Sequence, residues 1–291
     1  MFLREMYFLT IKKYMKMRNT ILFLTLVFCF QAFAQRKPKI KGNKNVVEVR
    51  NELPAFNAIE LIDDLKIVLK KSSLDECLLK ADDNLIDVLK FKVVDSTLFI
   101  TSFYKIVSKK KLEIQINYQD LNTIILRDGR IEMDDVVSTN VLNVHTFGSS
   151  KLTLNANTEF LNVEMHGNSS ADFNIESEFL SIAMKDKTDA GVYSVSETAA
   201  ITLGKNASLK IDGTTTELEA SLIENSSFKG HMYEAESAKL NAAGSSTAKI
   251  HARSLFQLNS SGTAKTSLYG EAEIQIDGFL DKSQLQKERI K

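Results

Sequence analysis

Tryptophan is absent from this sequence, and proline is nearly absent. The two prolines are Pro38 and Pro54, so the 237 residues that follow contain none. Because proline cannot donate a hydrogen bond to a strand ladder, it is excluded from central strands. A long proline-free stretch is therefore typical of a chain in which nearly every strand has two neighbours. The lack of tryptophan removes a side chain that commonly stacks on sugar rings, which argues against a carbohydrate-cleaving enzyme.

Cysteine is also scarce. The sequence contains only Cys29 and Cys77, and Cys29 lies in a segment that we expect to be removed. The remaining chain then holds Cys77 alone and cannot form an intrachain disulfide, even in a compartment that permits one. We expect Cys77 to be a small buried side chain on a strand, and the sequence assigns it no further role.

The chain has no excess of charge of one sign. It carries 37 basic and 37 acidic side chains. Five of the basic residues and one of the acidic residues lie in residues 1–34, so the chain from Gln35 onward has a net charge of −4. Nucleic-acid binding needs a clustered basic face, and this balance predicts no nucleic-acid partner.

Residues 1–34 have the organisation of a secretory signal peptide. Lys16 and Arg18 precede an apolar run over residues 21–30, and Ala32-Phe33-Ala34 supplies a small-residue cleavage site before Gln35. The apolar run is too short to cross a bilayer as a stable helix, so we expect no transmembrane span after signal cleavage.

The predicted leader indicates the compartment but not the start codon. Met1, Met15 and Met17 all precede the apolar run and would each give a usable signal. We expect the protein to be exported across the inner membrane. The sequence does not choose between the periplasm, the outer surface and the extracellular space.

The rest of the chain divides by composition. We expect a basic linker over residues 35–45 and a β-helical head domain over residues 46–280, followed by a charged tail over residues 281–291. Within the head domain, residues 46–110 alternate like separate half-buried strands, and residues 111–280 form regular coils. Ile274-Gln275-Ile276 is the expected last strand.

A short strand-and-turn pattern recurs through the second half of the chain. Its successive starts are Leu142, Leu161, Leu180, Ile201, Leu218, Leu240 and Leu258, with spacings of 19, 19, 21, 17, 22 and 18. A sustained period near 20 residues with glycine, asparagine and serine turns indicates a β-solenoid. We therefore predict an all-β fold, a single-stranded right-handed parallel β-helix with coils of about 19 residues. A sandwich of seven short strands is the alternative.

Alternation along each strand predicts which side chains face inward. In Leu142-Asn143-Val144 the leucine and valine share one face and the asparagine faces outward. Stacking then predicts a core column through Leu142, Leu161 and Leu180, and a stack of Phe160 on Phe179. It also predicts an outward polar ladder, which comprises Asn143, Asn162, Ser181, Thr202, Asn241 and Asn259.

We find no set of residues that indicates catalysis or a cofactor. His145 and His166 lie about one repeat apart, but no cysteine or further histidine completes a zinc site. No nucleophile elbow, phosphate loop or metalloprotease motif is present. Glycosylation acceptor patterns begin at Asn168, Asn206 and Asn225, which are more simply explained as corner residues. The expectation is no catalytic, no cofactor-binding and no metal residues.

Five segments together resemble a known family. They are Phe56-Asn57-Ala58-Ile59, Asp64-Leu65-Lys66-Ile67-Val68-Leu69, Lys80-Ala81-Asp82-Asp83-Asn84-Leu85, Val94-Asp95-Ser96-Thr97-Leu98-Phe99-Ile100 and Leu121-Asn122-Thr123-Ile124. In this order and spacing they are similar to the opening of the head GIN domain family, described as auto-transporter adhesins. The resemblance covers about residues 46–275 and implies a secreted β-helical envelope protein of a Gram-negative bacterium. It brings no catalytic residues. Where the family has glycine, this chain has Lys187-Thr188-Asp189.

Two functions follow as hypotheses. The first is a non-enzymatic secreted envelope module, an adhesin or binding scaffold whose ligand is an unknown glycan or protein, with homo-oligomerisation left open. The second is a carbohydrate-active β-helix, similar to a polysaccharide lyase or hydrolase, which rests on fold analogy alone. Three or more surface carboxylates and lysines clustered in one groove of the coils would favour the enzyme.

Overall fold

The computed structural model describes residues 37–289. The predicted signal peptide, its cleavage site before Gln35 and the last two residues lie outside the described residues. About 70% of the described residues are in strands and 2% in helix, and the strands form a β-solenoid of about 9 turns with coils of about 19 residues. The prediction of an all-β solenoid is confirmed.

From residue 37 onward, ten short strands and one helical turn precede or open the regular coils. They are β1 (Lys39–Lys41), β2 (Val46–Glu52), β3 (Ala58–Leu61), β4 (Lys66–Lys71), β5 (Glu76–Asp82), α1 (Asp83–Ile86), β6 (Leu89–Val94), β7 (Thr97–Ser102), β8 (Lys105–Ser108), β9 (Leu112–Tyr118) and β10 (Thr123–Leu126). Strand β1 pairs in parallel with β8, so the segment expected to be a linker contributes a strand.

The N-terminal strands cover one end of the solenoid. Strand β3 pairs in parallel with β10, and β4 pairs in parallel with the first long strand, Arg130–Thr146. Residues 58–71 therefore take the place of a coil. On their other side they pair with β7 and β9. Strand β7 in turn pairs antiparallel with β6, and β9 pairs antiparallel with β5. Strand β2 pairs antiparallel with the other edge of β5. A solenoid needs such a covered end because its core column would otherwise face water.

The regular coils are seven long strands joined by short turns. They are β11 (Arg130–Thr146), β12 (Lys151–Met165), β13 (Ser170–Met184), β14 (Asp189–Leu203), β15 (Ser208–Leu222), β16 (Ser227–Ala242) and β17 (Thr247–Ser260). Each pairs in parallel with the next. One strand and one turn make one coil, so every central strand is hydrogen-bonded on both edges, as the absence of proline predicted.

The pairings fix the register of the coils. One core column runs through Leu142, Leu161, Leu180, Ala199, Leu218, Ala238 and Phe256. The predicted repeat starts at Ile201, Leu240 and Leu258 are therefore wrong by two residues. Because side chains alternate with a period of two, a slip of two leaves every side chain on its predicted face.

The slip also changes the outward ladder. Asn143, Asn162 and Ser181 align as predicted, and Ala200 follows them. The other three predicted members belong to the neighbouring row that begins at His145; they are Thr202, Asn241 and Asn259.

The core is a continuous apolar column along the solenoid. Leu142, Leu161 and Leu180 are at most 2% exposed, which confirms their predicted inward position. Cys77 is fully buried on β5 and packs in the same core. Burial raises the pKa of the Cys77 thiol to about 12, so the thiol stays protonated and behaves as a small apolar side chain.

The C-terminal end consists of three short strands, β18 (Lys265–Tyr269), β19 (Glu273–Phe279) and β20 (Gln284–Lys287). Strands β18 and β19 pair with β17, and β20 pairs with β18. The last described strand is thus β20, which lies in the segment expected to be a charged tail. Leu285 packs against the core, but a single apolar residue among polar ones was too weak a pattern to predict a strand. No helix within residues 37–289 is long and apolar enough to span a membrane.

Candidate functional site

Two neighbouring rows of outward-facing side chains run across the coils on one side of the solenoid. The first row comprises Val136, Asn155, Asn174 and Tyr193, and the second comprises Asn157, Glu176 and Val195. We call these seven residues the amide face. Members of a row lie 19 residues apart and stack because the strands pair in register, at about 4.8 Å per rung.

The amide face contains a shallow groove of about 430 Å³. The side-chain amide of Asn157 donates a hydrogen bond of 3.1 Å to Glu176, and that of Asn155 donates to the backbone oxygens of Met133 and Asp134 at 3.3 and 3.1 Å. These contacts hold the amides in place along the strands. Each amide keeps further donor or acceptor capacity for a ligand.

Apolar side chains stand exposed at the margins of this groove. Tyr193 is 54% exposed, Val136 is 52% and Val195 is 42%. An exposed tyrosine offers a flat apolar ring and a phenolic hydroxyl. The groove thus combines an aromatic surface with rows of amides, an arrangement suited to a ligand that is rich in hydroxyl groups and has apolar ring faces.

A second polar row confirms part of the predicted ladder. The amide of Asn162 donates a hydrogen bond of 3.2 Å to the side-chain oxygen of Asn143. Phe160 stacks on Phe179 with ring centroids 4.8 Å apart and planes 8° from parallel, as expected. These contacts join adjacent coils, so we assign this row to the stability of the solenoid.

The turns between coils share one backbone conformation at their second position. The residues there have φ between 58° and 78°, and they are Gly148, Gly167, Asp186, Lys205, Glu224, Gly244, Gly262 and, at the last turn, Asp281. Asn168, Asn206 and Asn225 occupy the next position of their turns. The prediction that they are corner residues is confirmed, but none of them adopts the left-handed conformation expected of a corner asparagine.

Carboxylates take part in those turns that lack glycine. The Asp186 carboxylate accepts a hydrogen bond of 3.1 Å from the backbone N–H of Gly167, and Glu224 accepts one of 2.7 Å from that of Lys205. The Lys187-Thr188-Asp189 segment, where the resemblance led us to expect glycine, is accommodated because Asp186 itself adopts the left-handed conformation and binds the preceding turn.

The histidines do not assemble into a site. His145 lies 3.3 Å from the Glu164 carboxylate, whereas His166 stacks on Phe147 with centroids 5.5 Å apart. Across the described part of the chain, no three His, Cys, Asp or Glu side chains are grouped so that they could hold a metal ion.

A larger groove lies on the N-terminal strands, outside the regular coils. It has a volume of about 950 Å³ and is lined by residues of β2, β4, β5 and β9 and of the loop before β9. Six of its side chains are basic and two, Glu48 and Glu113, are acidic. Sequence reasoning missed it, because it depends on antiparallel pairings between distant segments.

Comparison with known families decides the classification. The family model described as "Putative auto-transporter adhesin, head GIN domain" matches residues 55–174 and 166–272. The chain belongs to the head GIN domain family. The two overlapping matches meet within the regular coils, consistent with a head GIN domain built from repeats.

Solved structures share the fold of this head GIN domain. A putative adhesin from Parabacteroides merdae is 15% identical, with a TM-score of 0.62 over 86% of this chain and 99% of that chain. A putative adhesin from Parabacteroides distasonis is 14% identical, with a TM-score of 0.65 over 85% and 99%. A putative lipid binding protein from the same species is 15% identical, with a TM-score of 0.60 over 87% and 100%. No curated protein matches the sequence significantly.

Proposed function

We propose that this head GIN domain is a non-enzymatic binding module of the cell envelope, an adhesin or scaffold that holds a glycan on its amide face. The observation that carries the proposal is the exposed ring of Tyr193 beside the stacked amides of Asn155 and Asn174. Membership of an adhesin family supports a binding role. The rigid, in-register strands support it further, because a preformed surface lowers the entropic cost of binding.

A glycan suits the amide face better than a protein ligand does. Amide groups exchange hydrogen bonds with hydroxyl groups in either direction, and the regular spacing of the rows would fit successive units of a polymer. The groove contains one carboxylate, Glu176, which already accepts the hydrogen bond from Asn157. We therefore favour a neutral glycan over a charged one.

A carbohydrate-active enzyme is the less favoured alternative. The single carboxylate in the amide face lacks the second group that glycoside hydrolysis needs. The N-terminal groove does cluster charges, but its carboxylates form salt bridges, Glu48 with Lys80 and Glu113 with Lys111. The hydrogen bond from Lys80 lowers the pKa of Glu48, which makes that carboxyl a poor general acid near neutral pH.

A glycan array probed with the full chain tests the proposal. We expect binding to neutral polysaccharides, and we expect Tyr193→Ala combined with Asn174→Ala to abolish it. The matched control is Phe103→Ala, which removes an aromatic ring that is 63% exposed on the N-terminal strands. Loss of binding in the control as well, or retention of binding in the double variant, would exclude the amide face. Binding only to proteins in a parallel pull-down would replace the glycan with a protein ligand.

Export is part of the same proposal and rests on the predicted signal peptide. We expect the protein in the envelope or extracellular fraction with Gln35 as its first residue. Mass spectrometry of the N-terminal peptide after cell fractionation is the measurement. An uncleaved N-terminus that begins at Met1, Met15 or Met17, or a protein confined to the cytoplasm, would contradict export.

A further inference from the structure

The N-terminal groove crosses the outer face of a four-stranded sheet formed by β2, β5, β9 and β4. One row of facing residues runs across its floor, in the order Arg50, Leu78, Gln115 and Val68. Leu78 and Val68 are half-buried although they point away from the solenoid core. The volume of about 950 Å³ is in the range of small-molecule sites.

The walls of the groove have an excess of positive charge. Four of its six cations form salt bridges, Arg50 with Glu76, Lys66 with Glu132, Lys80 with Glu48, and Lys111 with Glu113. Lys109 and Lys110 are exposed and form no salt bridge within residues 37–289. The unbalanced charge is therefore concentrated in the loop between β8 and β9.

Asp82 holds this loop in place. Its buried carboxylate accepts hydrogen bonds from the backbone N–H groups of Lys110 at 3.1 Å and of Lys111 at 3.0 Å. A third bond of 3.1 Å comes from the backbone of Lys44. The loop that carries Lys109 and Lys110 is thus fixed by its backbone, and the side chains of these two lysines are free to face a ligand.

The side chains that line the groove indicate which chemical class of ligand it can bind. On the outer face of the sheet stand two aliphatic side chains, Val68 and Leu78, and the lining contains no aromatic ring. A sugar ring would find no aromatic ring to stack on here, whereas an alkyl chain would contact Val68 and Leu78 on the floor. Lys109 and Lys110, which form no salt bridge among the described residues, lie at one end of the groove and favour a negative group on the ligand.

We propose that this groove binds one anionic amphiphile, a single alkyl or acyl chain that ends in a phosphate or carboxylate group. The chain lies on Val68 and Leu78, and the anionic group lies against Lys109 and Lys110. A free amphiphile fits better than a membrane surface, because the floor is recessed and offers no protruding apolar side chain to insert. The site is separate from the amide face, so either can fail without the other.

Calorimetric titration of the full chain with dodecyl phosphate, below the concentration at which it forms micelles, tests the proposal. We expect saturable binding of one molecule per chain. Inorganic phosphate and dodecyl maltoside, which carry only the anion or only the alkyl chain, should bind at least about tenfold more weakly. Equal binding of either one, or binding only to dioleoyl phosphatidate vesicles, would overturn the proposal.

Variants assign the binding to the groove. Lys109→Gln combined with Lys110→Gln should weaken dodecyl phosphate at least about tenfold at low salt. The matched control is Lys151→Gln combined with Lys229→Gln, which removes the same charge from exposed positions on the coils and should change nothing. Leu78→Glu should abolish binding, and Gln115→Glu provides the same charge at the floor if Leu78→Glu fails to fold. Equal affinity in the lysine variant and its control would refute the site.

Discussion

At the scale of single residues, stability follows from whether a side chain faces the interior column or the solvent. Leu161 is fully buried between Leu142 and Leu180. The next residue, Asn162, is exposed and contacts Asn143 through one hydrogen bond. Neighbours in sequence therefore occupy environments that differ almost as much as the fold allows.

This contrast gives a prediction for one pair of substitutions. Leu161→Ala should lower the free energy of unfolding by about 2–5 kcal/mol, because it leaves a cavity in a packed column. Asn162→Ala should cost about 1 kcal/mol or less, the net value of one exposed hydrogen bond. Denaturant melts of both variants measure the difference. A costlier asparagine change would mean that the strand is displaced by one residue and every face is reversed.

The turns supply a second prediction at this scale. Gly148 has φ of 60°, and a Cβ built on it would lie 2.5 Å from the backbone oxygen of Arg127 in the preceding coil. Gly148→Ala should therefore destabilise the protein by about 1–3 kcal/mol through backbone strain. Ser149→Ala, at the next and exposed position, is the control and should stay within about 0.5 kcal/mol of wild type. Equal melting curves for both variants would show that the turn can accept a Cβ at position 148 without backbone strain.

At the scale of elements, the long strands and several of the short ones, among them Thr97–Ser102, were predictable, whereas two short strands were not. The recurring pattern of two apolar residues that flank a polar one predicted β12 and β13, which contain Leu161-Asn162-Val163 and Leu180-Ser181-Ile182. Strands β1 and β20 were missed, since Lys39–Lys41 and Gln284–Lys287 each carry a single apolar residue. Their pairing depends on neighbours that are distant in sequence, which no local pattern records.

The two grooves differ in the same way. Asn155, Asn174 and Tyr193 lie 19 residues apart, so the strict period, once recognised, would have aligned them as one row. The lysines 109–111 are visible as a basic run, but the floor beneath them is not. It forms only when β2 and β9 pair antiparallel with β5, and a periodicity of stacked coils says nothing about that arrangement.

The loop that carries these lysines gives a prediction about pH. Burial opposes ionisation of Asp82, but three backbone N–H bonds outweigh it and lower its pKa from the usual 3.8. A carboxyl whose pKa is lowered by folding stabilises the protein above its unfolded-state pKa, and that stabilisation is lost as the pH falls through the folded-state value. Asp82→Asn should therefore lower the melting temperature at pH 7 and flatten its fall in acid below about pH 4.

Melting curves from pH 7 down to pH 2 measure this effect. Asp64→Asn makes the same chemical change at an exposed position and should leave the acid limb of the curve as in the wild type. If Asp82→Asn and wild type lose stability in parallel as the pH falls, the Asp82 carboxylate does not hold the loop. Binding of dodecyl phosphate should also weaken in Asp82→Asn, since the lysines lose their fixed position.

At the scale of the whole molecule, the two ends of the solenoid are unlike. The N-terminal end is covered, since β7 and β9 pair antiparallel with β6 and β5 beyond the last parallel coil. The C-terminal end leaves apolar side chains exposed; they are Ile274 at 41%, Ile276 at 52%, Phe279 at 43% and Leu280 at 62%. Ile276 continues the core column of Leu258, which is fully buried one coil earlier.

This difference predicts how copies of the chain associate. Strand β19 is paired with β17 alone among the described residues, and an exposed apolar edge strand is a template for pairing with another chain. Head-to-tail growth would need a free parallel edge at the N-terminal end, where antiparallel strands lie instead. A two-fold arrangement remains, in which β19 pairs antiparallel with β19 of a second copy and the association closes at a dimer.

We therefore expect sedimentation velocity to show a monomer–dimer equilibrium that shifts with protein concentration. Ile276→Lys should abolish the dimer because it buries an unpaired charge in the interface, whereas Val136→Lys, at an equally exposed valine on the amide face, should leave it unchanged. A dimer that survives Ile276→Lys, or a wild-type chain that stays monomeric at every concentration, would show that the open end does not mediate self-association.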